Sequence, residues 1–551
     1  MHDRCIAVLL IGVALAACGG GDPVDSGGNQ GTIEMNTTIT PHNDSACSGA
    51  FVRHDLDHTT TPRGDVAAMV DGTGSGVYAD DLDDDGLVDI VLPNLSGDST
   101  VLWNDGALSF SAAPLTSGRF RQAAAADLDA DGDRDLILTT GIGPPVALLQ
   151  GPGRTFERTE IRTRAVAFSV APGDLDGDGS VELATGSYNA ELTQNRDNRV
   201  LTGTDVGVAV LAPTADTLST GVDTRYLSDS AQALATLVVD VDGDGLSDVV
   251  VGNDLGTPDR IWLASSDLAG VDGLTVTELF DVTSLSTMSI DVADIDNDGD
   301  RDLVSTDMAR MPGESAAVWE ALDDDIAAAR VDDVQQPRNV VQLAIDGSYS
   351  EQAVDLGVAA TGWSWSGLLG DLDDDGFVDL YVVNGMQATS IFEDLPGGEL
   401  VEENQAFANI DGRFEARPDW GLGSTDGGRG MAQADLDGDG DLDIVVNNLG
   451  TPSTLWENQL CGGSSVVVEP IWTSAQNVDA LGTTVTVDDG SVARTAIITG
   501  ARGYISTSAT QAHVGLGSDA DAVTITVRWP DGAIGIVGDV APDSTIRVER
   551  S

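Results

Sequence analysis

The chain has 551 residues and a formal charge of −65, from 91 acidic residues against 26 basic ones, all arginine. That balance excludes a nucleic-acid ligand, because phosphate would be repelled, and it makes cations the natural partners. Hydrophobic residues make up 41% and aromatics only 5%, with 65 glycines, which fits tight turns between many short β elements better than one ordinary domain.

The first residues read as a signal peptide over 1–17. Arg4 precedes a short apolar run from Ile6 to Ala14, too short to cross a bilayer. Leu15-Ala16-Ala17-Cys18 resembles the bacterial lipobox. The resemblance implies cleavage before Cys18 and a diacylglyceryl group on its thiol, so the expected location is the bacterial cell envelope, with membrane contact through the lipid only. Gly19, not aspartate, follows the lipid cysteine, which favours the outer membrane or cell surface over the inner membrane. Residues 18–46, rich in Gly, Asn and Thr, read as a flexible tether. Beyond it, His54 and His58 lack the further soft ligands that a metal site needs. Arg63-Gly64-Asp65 is a chance tripeptide in a chain rich in these residues, and Gly72, Gly74 and Gly76 read as a turn.

The pattern D-x-D-x-D-G-x-x-[DE] then occurs seven times, starting at Asp81, Asp127, Asp174, Asp240, Asp294, Asp371 and Asp435. Spacings of 46 to 77 residues indicate a repeat architecture. Loop 1 offers Asp81, Asp83, Asp85 and Asp89, and loop 2 offers Asp127, Asp129, Asp131 and Asp135. Loop 3 offers Asp174, Asp176, Asp178 and Glu182, the one departure from aspartate, and loop 4 offers Asp240, Asp242, Asp244 and Asp248. Loop 5 has Asp294, Asp296, Asp298 and Asp302; loop 6 has Asp371, Asp373, Asp375 and Asp379; loop 7 has Asp435, Asp437, Asp439 and Asp443. Aspartates at positions 1, 3 and 5 can face into one turn, glycine at 6 permits the reversal, and the carboxylate at 9 closes the site. So many hard oxygens suit Ca²⁺ better than Mg²⁺, and the expected complement is up to seven structural Ca²⁺ ions. An EF-hand is excluded, since position 12 is Leu92, Leu138, Thr185, Val251, Ser305, Val382 or Val446 and never glutamate.

After each loop comes a β-branched apolar run such as "DIVLPN" or "DVVVGND", and farther on a second such as "VLWND" or "STLWEN". Some repeats continue into a third, as at Ile410 to Arg417. Three or four antiparallel strands per repeat describe a β-propeller. Here the sequence resembles the FG-GAP/VCBS repeat family, which includes the integrin α-subunit propeller. The resemblance implies an all-β, seven-bladed ring over residues 47–461 with calcium loops on one face.

A ring must join its last blade to its first or leave an open edge. The seventh repeat lacks an outer strand, and "CSGAFVRHDLD" from Cys47 to Asp57 is expected to supply it. With Cys5 and Cys18 otherwise assigned, Cys47 and Cys461 are expected to form a disulfide at that seam.

From Gly462 to Ser551 the acidic loops stop, and alternation in "TVTVDD", "TAIITG" and "VTITVRW" predicts a small antiparallel β domain. Gly503-Tyr504, His513 to Gly517 and Trp529 to Gly532 resemble the ASPIC/UnbV domain of proteins similar to cartilage acidic protein, as does "TGWSWSGLLGDLDDDGFVDLYVVNG" from Thr361. Trp363 and Trp365 in that stretch are read as core residues.

No nucleophile elbow, zinc-protease motif or P-loop is present, so no catalytic residue is assigned. The reading is a monomeric adhesion or protein-interaction scaffold with an unknown protein or glycan ligand; the alternative is a carbohydrate-binding or carbohydrate-active propeller. Removing the 28 ligand carboxylates leaves 63 acids against 26 bases, or −37, so the loops explain only part of the charge.

Overall fold

The computed structural model of the chain describes residues 33–43, 45–62, 70–195, 206–265, 273–311, 334–345, 347–388, 392, 394–410, 412–518 and 520–551. The signal peptide, Cys18 and the Arg63-Gly64-Asp65 tripeptide lie outside them. Within the described residues no helix is long and apolar enough to cross a membrane.

The fold is almost entirely β. The repeat of loop 2 shows the plan: Ala123–Ala126 rises to the loop, Asp135–Leu138 returns, and Val146–Gly151 and Thr155–Glu160 complete an antiparallel sheet. Each of the seven acidic loops joins the first two strands of one such sheet, six of them four-stranded. The sixth sheet gains a fifth strand, Met308–Ala309, on its inner edge.

The first strands were not foreseen, because small residues such as the four alanines 123–126 have little β propensity. They work here because they stand innermost. Ser169–Gly173 lies between Ala123–Ala126 and Ala233–Val239, and the series runs on through Ser289–Ala293, Gly362–Gly370 and Gly428–Ala434 to Tyr78–Asp80. Sheets one and two share a core of Tyr78, Val91, Ala123 and Leu136, which completes the circuit.

The seventh sheet is closed from outside. Val52–Thr59 pairs antiparallel with Pro452–Glu457, setting Val52 opposite Glu457. Cys47 and Cys461 are bonded, with Cα atoms 5.0 Å apart and 414 residues between them in sequence.

The C-terminal domain has two four-stranded sheets. One orders Ala493–Ile497, Thr484–Asp488, Val523–Arg528 and Ile534–Val540. In the other, Ser464–Trp472 runs parallel to Ser544–Arg550. The edge strand of that second sheet is Asn36–Pro41, paired antiparallel with Ser544–Arg550. This corrects the tether expectation for Asn36–Pro41, residues 18–32 lying outside the described ones: the threonine-rich "NTTITP" has the β-branched content of a strand and binds an otherwise open edge.

The C-terminal domain sits on the ring face that carries the acidic loops. Arg547 reaches Asp84 of loop 1 at 3.4 Å, and Asp479 pairs with Arg134 of loop 2 at 2.7 Å. Asn477 N–H donates to Gly179 of loop 3, Gly482 packs on Ser247 of loop 4, and Thr484 meets Arg301 of loop 5. Gly517 N–H donates to Asp374 of loop 6, and Ser465 to Gly440 of loop 7.

From this domain a loop around Tyr504 enters the middle of the ring. Gly503 N–H donates to Ile290 of an inner strand, Val77 N–H donates to Ser506 Oγ, and Arg502 pairs with Asp291 through two 2.8 Å contacts. Tyr504 packs at a tilt against Trp365, ring centroids 5.2 Å apart, and its hydroxyl donates to Thr73 O at 2.9 Å. Thr73 belongs to the glycine-rich turn 70–76, which is buried on the far side of the channel. Arg121 and Arg429, both almost fully buried, hold that turn by donating to the carbonyls of Gly74 and Gly72. Trp365 is core: it is 2% exposed, and its indole N–H donates to Gly385 O.

Candidate metal centres

The seven loops share one backbone frame. In every copy the glycine N–H at position 6 donates to the position-1 carboxylate, at 2.8–3.1 Å. The position-7 N–H donates to the position-5 carboxylate, and the position-2 N–H to the position-9 carboxylate. Each side chain is thus held by the loop it belongs to.

The glycine at position 6 has φ between +84° and +96° in all seven, a region that only glycine enters freely. Position 4 is left-handed too, at Asp84, Ala130, Gly177, Gly243, Asn297, Asp374 and Gly438. The sequence carries that signal, since six of those seven residues, all but Ala130, are Gly, Asn or Asp, the types that tolerate the left-handed region best.

Position 9 ties the loop to the sheet. In six copies its second oxygen accepts an N–H from the third strand at 2.8 Å, from Asn104, Gln150, Ala264, Ala344, Asn409 and Asn458. Glu182 in loop 3 accepts only from Leu175 N–H. Its extra methylene displaces the carboxylate from the place aspartate takes in the other loops.

The ligand oxygens converge. In loops 2 to 5 one oxygen each from positions 1, 3 and 9 lies within 4.8 Å of the others; in loop 1 the converging set is Asp81, Asp83 and Asp85. The position-3 aspartates face inward, and Oδ1 of Asp83, Asp129, Asp373 and Asp437 is buried without a hydrogen-bond partner. A buried carboxylate oxygen in that state requires a cation or a proton. The donor set, all carboxylate oxygen, fits a hard divalent cation.

Electrostatics agrees. Burial first, and then the neighbouring loop carboxylates, push Asp302 and Glu182 up to about 7 and Asp248 up to about 8. Asp89 and Asp135 rise to about 7 through burial, with the loop aspartates adding to it. Asp379 and Asp443 are pushed well above the carboxylate range by the same causes.

Among the described residues, arginines reach ligand positions in three loops, and in loop 4 Arg301 stands 3.4 Å from Asp240. Arg154, its guanidinium stacked 4.7 Å over Trp103, contacts Asp83 and also reaches Asp85 at 3.1 Å. In loop 6, Arg417 stands farther off, 3.9 Å from Asp373.

The two histidines of the closing strand serve separate contacts. His54 meets Glu457 at 2.7 Å, while His58 is buried between Thr100 and Thr60.

A sequence profile for the FG-GAP-like repeat matches residues 81–138, 127–185 and 398–446, and one for ASPIC and UnbV matches residues 473–551. No curated protein matches the chain. Among solved structures, BBS1N in complex with ARL6DN is 9% identical, covering 76% of this chain and 98% of that one at a TM-score of 0.41. The V. cholerae biofilm matrix protein Bap1 is 12% identical, covering 90% and 72% at 0.31. Rhamnogalacturonan lyase YesW is 12% identical, covering 76% and 91% at 0.29.

Proposed function

From a chain that carries FG-GAP-like repeats and a C-terminal ASPIC/UnbV domain, we propose a calcium-stabilised interaction scaffold anchored to the bacterial envelope by lipid on Cys18. A β-propeller of this kind is a protein-interaction type of domain. The observation that carries the calcium reading is the buried, partnerless Oδ1 of Asp83, Asp129, Asp373 and Asp437 at position 3, set in a backbone frame that all seven loops share. Six to eight oxygens at flexible distances suit Ca²⁺, whereas Mg²⁺ keeps its waters. The ions would hold the turns between first and second strands and carry no reaction.

The calcium face is covered by the chain's own C-terminal domain, so a partner meets the opposite face or the rim. On the opposite face, turns between second and third strands present Ile142, Leu255, Val334 and Val401, 40–58% exposed. Titration calorimetry of chelated protein tests the metal: Ca²⁺ binds and equimolar Mg²⁺ does not displace it, whereas equal binding of both ions would overturn the assignment. For the anchor, Cys18→Ser should move the protein from the membrane fraction to the soluble fraction; retention in membranes would count against it. A glycan array in calcium separates a protein partner from a sugar, since selective glycan binding would replace the protein-scaffold reading.

A further inference from the structure

Residues 462–551 contain ten acids and five arginines, a net charge of −5. This acidic domain is seated on the face where the ring gathers 28 ligand carboxylates. Its cationic contacts with the loops reach position-4 residues, Arg547 to Asp84 and His513 to Asp374, and not the ligand positions. Asn477, Gly517 and Ser465 meet loop carbonyls, and the ion pairs Asp479–Arg134, Arg547–Asp84 and Arg502–Asp291 each match one acid with one arginine, so none of them offsets the ligand carboxylates of the loops. Like charges a few ångströms apart lie inside the Debye length of about 8 Å and are not screened by salt. Positive charge inside the loops would therefore strengthen contact of these surfaces, and seven divalent cations would bring fourteen.

The covalent connections suit a domain that can leave. Two connections join ring and domain, one between Cys47 and the strand Asn36–Pro41 and one at 462–463 before the strand Ser464–Trp472; Asn43 N–H donates to Gly438 O of loop 7 and Gly463 N–H to Asp373 O of loop 6. Both start at the Cys47–Cys461 disulfide, so the joint is a single stapled point. Everything else that binds the domain is noncovalent, including the Tyr504 loop in the channel.

We propose that cation occupancy of the loops is the condition for docking: with cations bound, the C-terminal domain caps the ring and Tyr504 fills its centre. Without them the domain swings away about the disulfide and Tyr504 withdraws. This rests on the cation reading of the loops. Withdrawal uncovers a pocket floored by Thr73 and walled by the inner strands.

Hydrogen exchange of the full, oxidised chain across a calcium titration tests it. Amides of residues 502–507 should exchange at least tenfold faster once calcium is removed, at calcium levels where Asp135–Leu138 and Asp248–Asn253 stay protected. Protection of 502–507 that persists after metal analysis shows the calcium gone, or that disappears only together with those ring strands, would overturn the proposal. If metal analysis finds no calcium bound at the outset, the loop reading itself has failed. A charge variant separates repulsion from ligand loss. Asp373→Asn with Asp437→Asn should slow exchange of 502–507 at least threefold in chelator relative to the parent; unchanged or faster exchange would contradict the electrostatic cause.

Discussion

At the scale of residues, the acidic loop is a set of paired roles. Positions 1, 5 and 9 are held by N–H groups of the loop and sheet, while position 3 in loops 1, 2, 6 and 7 keeps a buried oxygen without a hydrogen-bond partner. The convergence of these carboxylates was legible because aspartates at alternating sites followed by a glycine can face into one turn. The backbone donors were not, since every residue carries one. Nor was Arg154, which comes to loop 1 from a turn 69 residues past Asp85. Its ion pairs compete with a cation, so Arg154→Ala should tighten the weakest step of a calcium titration roughly three- to tenfold. An unchanged or weaker step would show that the arginine does not compete.

The raised carboxylates also set a pH dependence. Asp89, Asp135 and Asp302 stand at about 7 in the folded chain, above their unfolded values near 4. The folded state thus binds more protons across that interval, and metal-free stability falls as pH rises from about 4 to about 8. With calcium bound, the same carboxylates stay charged and the fall disappears. Thermal melts at pH 5 and pH 8 with and without chelator check the sign; chelated protein that melts higher at pH 8 would refute it.

At the scale of elements, strands after the loops announced themselves by β-branched runs, and strands before them did not. Ala123–Ala126 and Gly428–Ala434 owe their conformation to the crowded centre of the ring, where a larger side chain would collide. A Cβ on Gly430, for example, would meet the Cα of Gly76 at 2.4 Å. The strand Asn36–Pro41 was hidden by its polar, fully exposed composition, and only its partner at Ser544–Arg550 explains it. The closing strand was legible because the seventh repeat visibly lacked one. Cross-linking a loop this long stabilises by about 4 kcal/mol or more in the chain-entropy account. Cys47→Ser with Cys461→Ser should therefore melt well below the parent under non-reducing conditions, and equal melting temperatures would show that the seam is held by strand pairing alone.

At the scale of the molecule, the ring and the C-terminal domain share one charged interface and one filled channel. Neither was apparent in the sequence, because the contacts join residues hundreds of positions apart, such as Tyr504 and Thr73. What was legible is the repeat, its likeness to FG-GAP proteins and the clustering of acidic side chains in its loops. The most direct test of that chemistry is calorimetric melting of the full oxidised chain at neutral pH, in millimolar calcium and in chelator. Each site at a hundred times its Kd adds about 2.7 kcal/mol, so removing several ions should lower the Tm by ~10 °C or more. A melt that is the same in both buffers would contradict the account.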